Sequence, residues 1–370
     1  MSRYYLEFLD KSYNSEMLGI LKSAPITTDN IKLCFDRQPD IFRMAEIKYN
    51  PFSYLGFFHD AILEGFVMIG YHQAQVNGVS ETVFHFTDYY IREEGRSKGF
   101  SYRISDYLFK ETYNNARLGY GIIMEGNKEA LGLLGRRHPK YPFVPWTRII
   151  NKLNVKTILL AFPVKPDNTY TIRHATYEDI PIIVTLLNEE HKNRLFGNSF
   201  SQSSLELLIL NRPDFSIYNY YLAIDGLKRI IGVCAAWDCS SFKQNRVIKY
   251  GTAFLPSRIG YWFLSKIYSL PPLPGEGQIF RDVTITDYAV KDRNPAIMES
   301  LLRAVYRDYR KLGYHSIIWG SSADDPLLRA SKAFFHQDII SNIVLLSLRP
   351  ELIENNAIKN KLPYIDVACL

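Results

Sequence analysis

The sequence is short of several things, and each shortage narrows what it can be. Only four cysteines occur in 370 residues (Cys34, Cys234, Cys239, Cys369), and none form a Cys-x-x-Cys pair. That spacing excludes a disulfide framework and the usual thiolate zinc sites, and it fits a reduced, intracellular setting. No apolar run approaches the ~20 residues that cross a bilayer. The opening "MSRYYLEFLDKSYN" does not read as a signal peptide. The expected location is cytoplasmic, with no membrane partner. Charge of one sign is never concentrated: the net charge is +6, and the densest basic patch is the short "GRRHPK" (135–140). Nucleic acid is therefore not an expected partner. Also missing are a dinucleotide-type glycine fingerprint, a nucleotide-triphosphate loop, HExxH, a GxSxG elbow and paired metal ligands. These absences argue against a metal cofactor and against serine-hydrolase chemistry.

What is plentiful is apolar and aromatic: 47% hydrophobic residues, with 26 Tyr and 22 Phe. A chain this long exceeds what one core usually supports, so two domains are expected. The sequence also repeats itself. "TDYYIR" (87–92) returns as "TDYAVK" (286–291), and "RLGYGII" (117–123) returns as "KLGYHSII" (311–318). Each copy reads as strand, loop, helix, "LGY", strand, which is a duplicated α/β unit. The first helix is expected over 99–118, with Phe100, Ile104, Leu108 and Thr112 on one face and Gly119 as its C-terminal cap. The second is expected over 295–312, with Pro295 in its first turn and Gly313 beyond its end. "YGIIME" and "YHSIIWG" suit buried parallel strands. The proline-rich "FPVKPDNTY" (162–170) marks the boundary, giving domains 1–163 and 168–370. After it, Asp179 caps a helix carrying Ile182, Ile183, Leu186 and Leu187.

Between the first strand and helix lies "IREEGRSKGFS" (91–101). A loop entering a helix presents unpaired backbone amides at the positive end of the helix dipole, which favours phosphate. Gly99 allows close approach, and Arg96 and Lys98 add charge. The plain alternative is an ordinary strand–helix turn.

This stretch resembles the acyl-CoA signature of the GNAT N-acyltransferase superfamily. Ile91 takes the apolar position, Arg96 the Arg/Gln position, Gly99 the glycine and Ser101 the final small residue, where the family has Gly or Ala. "MEGNKEALGLLGR" (124–136) resembles the next element, with Asn127 opening a helix. The resemblance implies an α/β fold with an α+β mixed sheet, made of two tandem GNAT-like domains, the second degenerate. It implies acetyl-CoA or another acyl-CoA as co-substrate, no metal, and a small-molecule or peptide amine as acceptor. The pyrophosphate would rest on Arg96, Ser97, Lys98, Gly99, Phe100 and Ser101. The pantetheine would run beside Ile91 and Arg92. Direct attack of the amine on the thioester then needs a base and an oxyanion donor.

For the base, His85 is the candidate: an imidazole eleven residues before Arg96, where some members carry a glutamate. A buried, hydrogen-bonded strand histidine is the competing reading. Strand alternation puts His85, Thr87, Tyr89 and Ile91 on one face, with Asp88 and Tyr90 on the other. The family's usual Tyr acid falls on Leu134, which puts ordinary acetyl transfer in question. In the second copy the loop is shorter, Pro295 removes an amide and Ala296 replaces the glycine, so pyrophosphate should be held poorly there. "AAWDCSSFKQNRVIKY" (235–250) reads as a hairpin with a charged turn, or as the lining of a cleft. Three functions stay open: acyl transfer to an amine, a non-catalytic acyl-CoA-binding or regulatory module, and transfer from a charged tRNA, against which the dispersed charge argues. A homodimer is left open, as is the placement of "KLPYIDVACL".

Overall fold

The computed structural model describes residues 4–27, 31–92, 100–112, 115–132, 139–165, 167–252, 255–268 and 270–370. Its strands are β1 (Tyr4–Leu9), β2 (Ile26–Thr27), β3 (Ile31–Asp36), β4 (Phe52–His59), β5 (Ile62–Val76), β6 (Val79–Ile91), β7 (Gly119–Met124), β8 (Trp146–Leu159), β9 (Thr171–His174), β10 (Tyr220–Ile224), β11 (Ile230–Trp237), β12 (Gln244–Tyr250), β13 (Asp282–Val290), β14 (Ser316–Ser322) and β15 (His336–Ser347). Its helices are α1 (Asn14–Ser23), α2 (Arg43–Lys48), α3 (Phe100–Thr112), α4 (Lys128–Leu131), α5 (Ile180–His191), α6 (Gln202–Asn211), α7 (Leu255–Tyr268), α8 (Pro295–Lys311), α9 (Pro350–Glu354) and α10 (Asn356–Lys359).

Twelve strands form one mixed sheet in the order β1-β4-β5-β6-β7-β15-β8-β14-β13-β11-β10-β9. Read from either end, the order has the same logic. A run of antiparallel strands leads to a parallel pair, β6/β7 in one half and β13/β14 in the other. At the centre the halves trade strands. β15, from the second half, pairs with β7, while β8, from the first half, pairs with β14. β8 and β15 then pair with each other from Trp146↔Ser347 to Ile158↔His336. The exchange spreads one hydrogen-bonded sheet across both repeats, so no edge is exposed between them.

Local sequence explains much of this. β5 is buried from Leu63 to Tyr71 and, after Glu64, reads as an apolar run from Gly65 to Tyr71, because helices or loops cover both its faces. On one face α3 packs Ile104, Leu108 and Phe109 against Leu55, Phe57, Val67 and Phe84; on the other, α1 packs Met17, Leu18 and Ile20 against Phe58, Leu63 and Phe66. The second half repeats the arrangement, with α8 on one face and α5 and α6 on the other. α8 starts where Asn294 caps the amide of Ala296 and Pro295 fills its first turn, and it ends at Gly313 with φ +75°.

Four expectations need correcting. α3 spans Phe100–Thr112 and stops short of Leu118. Gly119 is no helix cap: it is the first residue of β7, and a Cβ there would come within 2.3 Å of the Phe84 ring. Glycine is needed for that close approach. β11 and β12 do not form a hairpin; β12 pairs with β3 in a separate small sheet, β12-β3-β2. The face assignment along β6 is also wrong, for a reason that bears on the site.

Candidate functional site

β6 and β7 run side by side only briefly, pairing Phe84, His85 and Phe86 with Gly119, Tyr120 and Gly121. Beyond Phe86 the two strands separate. The cause is a bulge: Thr87 faces Met68 and Tyr90 faces Phe66, so two residues, Asp88 and Tyr89, stand opposite Val67 alone. Asp88 has φ +50°, in the left-handed region that Asp tolerates better than bulky residues. The extra residue flips the alternation. Tyr89 and Ile91 join Phe86 on the α3 face, while Tyr90 joins Phe66 and Met68 on the opposite face.

The same device recurs in the other half. β13 pairs with β14 only at Asp282, Val283 and Thr284, and the register against β11 slips between Val233 and Ala235. Asp287 has φ +43°. Each bulge carboxylate is held by a tyrosine and an arginine. Asp88 accepts from the Tyr54 hydroxyl at 3.1 Å and lies 3.9 Å from the Arg37 guanidinium. Asp287 accepts from the Tyr220 hydroxyl at 2.8 Å and is ion-paired with Arg212. Both carboxylates are buried, so each cationic partner offsets a large desolvation cost. The "TD" of the repeat was visible in sequence; the arginines were not, because Arg37 and Arg212 come from unrelated loops.

His85 sits on β6 one residue before the strands separate, and it is fully buried. Its ring stacks on Tyr120, with centroids 4.4 Å apart. Nδ1 is hydrogen-bonded to the Tyr49 hydroxyl, and Nε2 has no partner among the described residues. Burial, followed by the nearby Lys48 charge, holds its pKa well below the ordinary 6.5, so the ring is neutral. Tyr49 reaches it by crossing Gly70, where a Cβ would meet the phenol ring at 2.3 Å. Lys48 Nζ donates to the Cys369 carbonyl at 3.5 Å.

The remaining expected residues fall as follows. Ile91 pairs with Gly65. Arg92 is tied to β5: its amide donates to Glu64 O at 2.8 Å and its Nε to Leu63 O at 3.2 Å. Phe100 and Ser101 open α3, so the strand–helix order expected of the loop is present. Asn127 caps α4, its side chain accepting from the Ala130 amide at 3.1 Å. Arg96, Ser97, Lys98, Gly99 and Leu134 lie outside the described residues.

In the second half the corresponding gap between strands is filled. Residues 363–369 enter it: Ser322 Oγ donates to Pro363 O at 2.7 Å, Thr286 Oγ1 donates to Asp366 at 2.9 Å, and Val367 packs against Gly320. This is where "KLPYIDVACL" goes. Lys243, from the misread hairpin, donates to Val367 O at 2.7 Å; burial lowers its pKa to about 8. The shortened loop after β13 is filled as well. Arg293, aligned with Arg96, bonds Glu190 at 2.6 Å and pairs with Asp325, and the buried Arg194 joins the same two carboxylates.

No protein-family profile matches the chain, and no curated protein sequence does. Solved structures do match in fold. N-myristoyltransferase of Saccharomyces cerevisiae, solved with bound myristoyl-CoA, superposes with a TM-score of 0.60 at 10% identity, covering 93% of this chain and 82% of that one. A GCN5-related N-acetyltransferase from Anabaena variabilis gives 0.51 at 10% identity, covering 94% and 74%. Another from Sphaerobacter thermophilus gives 0.51 at 12% identity, covering 85% and 82%. The chain has the GNAT-type fold, in two halves.

Proposed function

We propose that this protein is an N-acyltransferase that moves an acetyl or other acyl group from acyl-CoA to a primary amine, using the first half alone. The observation that carries this reading is the asymmetry of two matching gaps. The gap between β6 and β7 is bordered by β6, whose sequence runs on into the GNAT-like signature, whereas the gap between β13 and β14 is filled by residues 363–369. Extended pantetheine suits the first gap, because a separated strand pair leaves backbone groups of β6 facing a partner that is no longer β7.

In this reading the amine nitrogen attacks the thioester carbon, the C–S bond breaks, and CoA leaves as the thiolate. The ammonium proton passes to His85 Nε2, the ring nitrogen with no partner among the described residues, while the Tyr49 hydroxyl fixes the ring through Nδ1. A thiolate is a good leaving group near neutral pH, so the missing Tyr at Leu134 does not block the step. Residues 96–101 hold the pyrophosphate.

The test follows CoA thiol release from acetyl-, octanoyl- and myristoyl-CoA across a panel of amines, for the wild type and His85→Gln. The expected result is amine-dependent release, with kcat down about a hundredfold in the variant and acyl-CoA affinity unchanged. Acyl-CoA binding with no release across the panel would instead support a non-catalytic acyl-CoA-binding module on the same fold.

A further inference from the structure

Helix α7 is turned inside out. Leu255, Ile259, Trp262, Phe263 and Ile267 form one stripe at helical spacing, and all five are between 52% and 71% exposed. The face against the protein carries Tyr261, Leu264 and Tyr268, which are only half-buried. Two bonds hold that inner face in place: Tyr261 Oη donates to Pro271 O at 2.8 Å, and Arg310 donates to Tyr268 O at 2.7 Å. An amphipathic helix normally packs its apolar stripe on the core; here the stripe faces outward. The apolar surface continues past the C-terminal end of the helix, where Tyr268 meets the exposed Phe162 at 6.0 Å and Phe162 meets the exposed Phe335 at 6.4 Å.

Along the stretch of chain that carries this helix, the charge has one sign. From Cys239 to Gly275 the sequence holds five cations and no carboxylate. Two of the five turn inward, Lys243 to Val367 O and Arg246 to Asp36. The other three, Lys249, Arg258 and Lys266, are exposed. Arg258 lies 4.5 Å over the Tyr250 ring beside the helix, Lys266 sits 5.8 Å from the Trp262 ring on the stripe itself, and Lys249 stands opposite Lys32 across the β12–β3 pair.

We propose that α7 is an interfacial anchor that lays its outer face into the headgroup region of an anionic phospholipid bilayer. Exposed Trp and Phe flanked by Lys and Arg, with no acid on the helix, is the pattern of a helix lying in the plane of such a surface. A second copy of this chain is disfavoured as the occupant, since a two-fold contact through this stripe would set the same cations against each other. α7 does not span: its 14 residues are about 21 Å long, short of the ~30 Å hydrocarbon core. A peripheral helix of this kind leaves no long apolar run, which is why the sequence alone gave no sign of a membrane partner.

The test is flotation of the full chain with vesicles of pure phosphatidylcholine and of phosphatidylcholine mixed with phosphatidylglycerol. The expected result is binding to the mixed vesicles only, weakening as salt rises, with a blue shift in Trp262 fluorescence. Trp262→Ser/Phe263→Ser should abolish binding, and Lys266→Glu should weaken it by more than about fivefold. Both changes lie on exposed positions, so thermal melts matching the wild type should accompany them. Two outcomes would overturn the proposal. One is no binding to the mixed vesicles. The other is a dimer in sedimentation that the double serine variant dissociates, which would assign the stripe to a second copy.

Discussion

Asp287 sits without solvent exposure between the Arg212 guanidinium and the Tyr220 hydroxyl. Removing its carboxylate would leave Arg212 buried beneath the Trp237 and Phe215 rings with only Asp366, 3.9 Å away, to offset its charge. Asp287→Ala should therefore cost about 3–5 kcal/mol, read as a shift of the urea midpoint at constant slope. Asp88→Ala should cost less, because Arg37 stands 3.9 Å away. Equal losses at both sites would contradict the different closeness of the two pairs. The histidines offer a second prediction. Burial first, then a neighbouring cation, lowers the pKa of His191 to about 3 and that of His85 well below 6.5. Below pH 6.5 the unfolded chain then binds one more proton per histidine than the folded chain. Stability is full above about pH 6.5 and falls on acidification, by up to about 1.4 kcal/mol per pH unit for each ring. Melting temperatures between pH 7.5 and 5 check this: the wild type should lose stability, and His191→Gln should lose less over the same interval. A slope unchanged in the variant would show that His191 is not titrating on unfolding. Of these residues, only His85 and the two aspartates were conspicuous in sequence.

At the level of elements, legibility followed the range of the signal. α8 was readable because everything that shapes it is local: cap, proline, apolar spacing and Gly313. β7 and β14 were readable as short apolar runs after "LGY". The face of β6 was not, because alternation presumes an unbroken pleat and the bulge at Asp88 adds one residue. β12 was misplaced for a related reason. Its partner, β3, lies roughly two hundred residues away, and nothing in a turn sequence announces so distant a pairing. Tyr49 was missed as well. It meets His85 only because Gly70 leaves room for its ring. Gly70→Ala should displace that ring and destabilise the fold by about 1–3 kcal/mol, measured by denaturant titration. It should also perturb the His85 resonance in NMR. An unperturbed resonance would contradict the assigned packing.

For the whole molecule, the decisive feature is the exchange of β8 and β15 at the centre of the sheet. The duplication was legible; the exchange was not, because each half's last strand reads the same whichever neighbour receives it. A fragment of residues 1–163 would have β7 and β8 without the strand that lies between them. It should fail to give a cooperatively melting monomer on its own, and co-expression with 164–370 should recover a soluble complex. A folded, monomeric 1–163 would contradict the topology. The exchange also brings the C-terminal residues into the second gap, which is what makes the halves unequal.

Calorimetric titration of acyl-CoA into the full chain, with Gly99→Val measured beside the wild type, shows whether the two halves differ in this way. The expected result is one site per chain, lost in the variant. Two sites, or one site that Gly99→Val leaves intact, would contradict it.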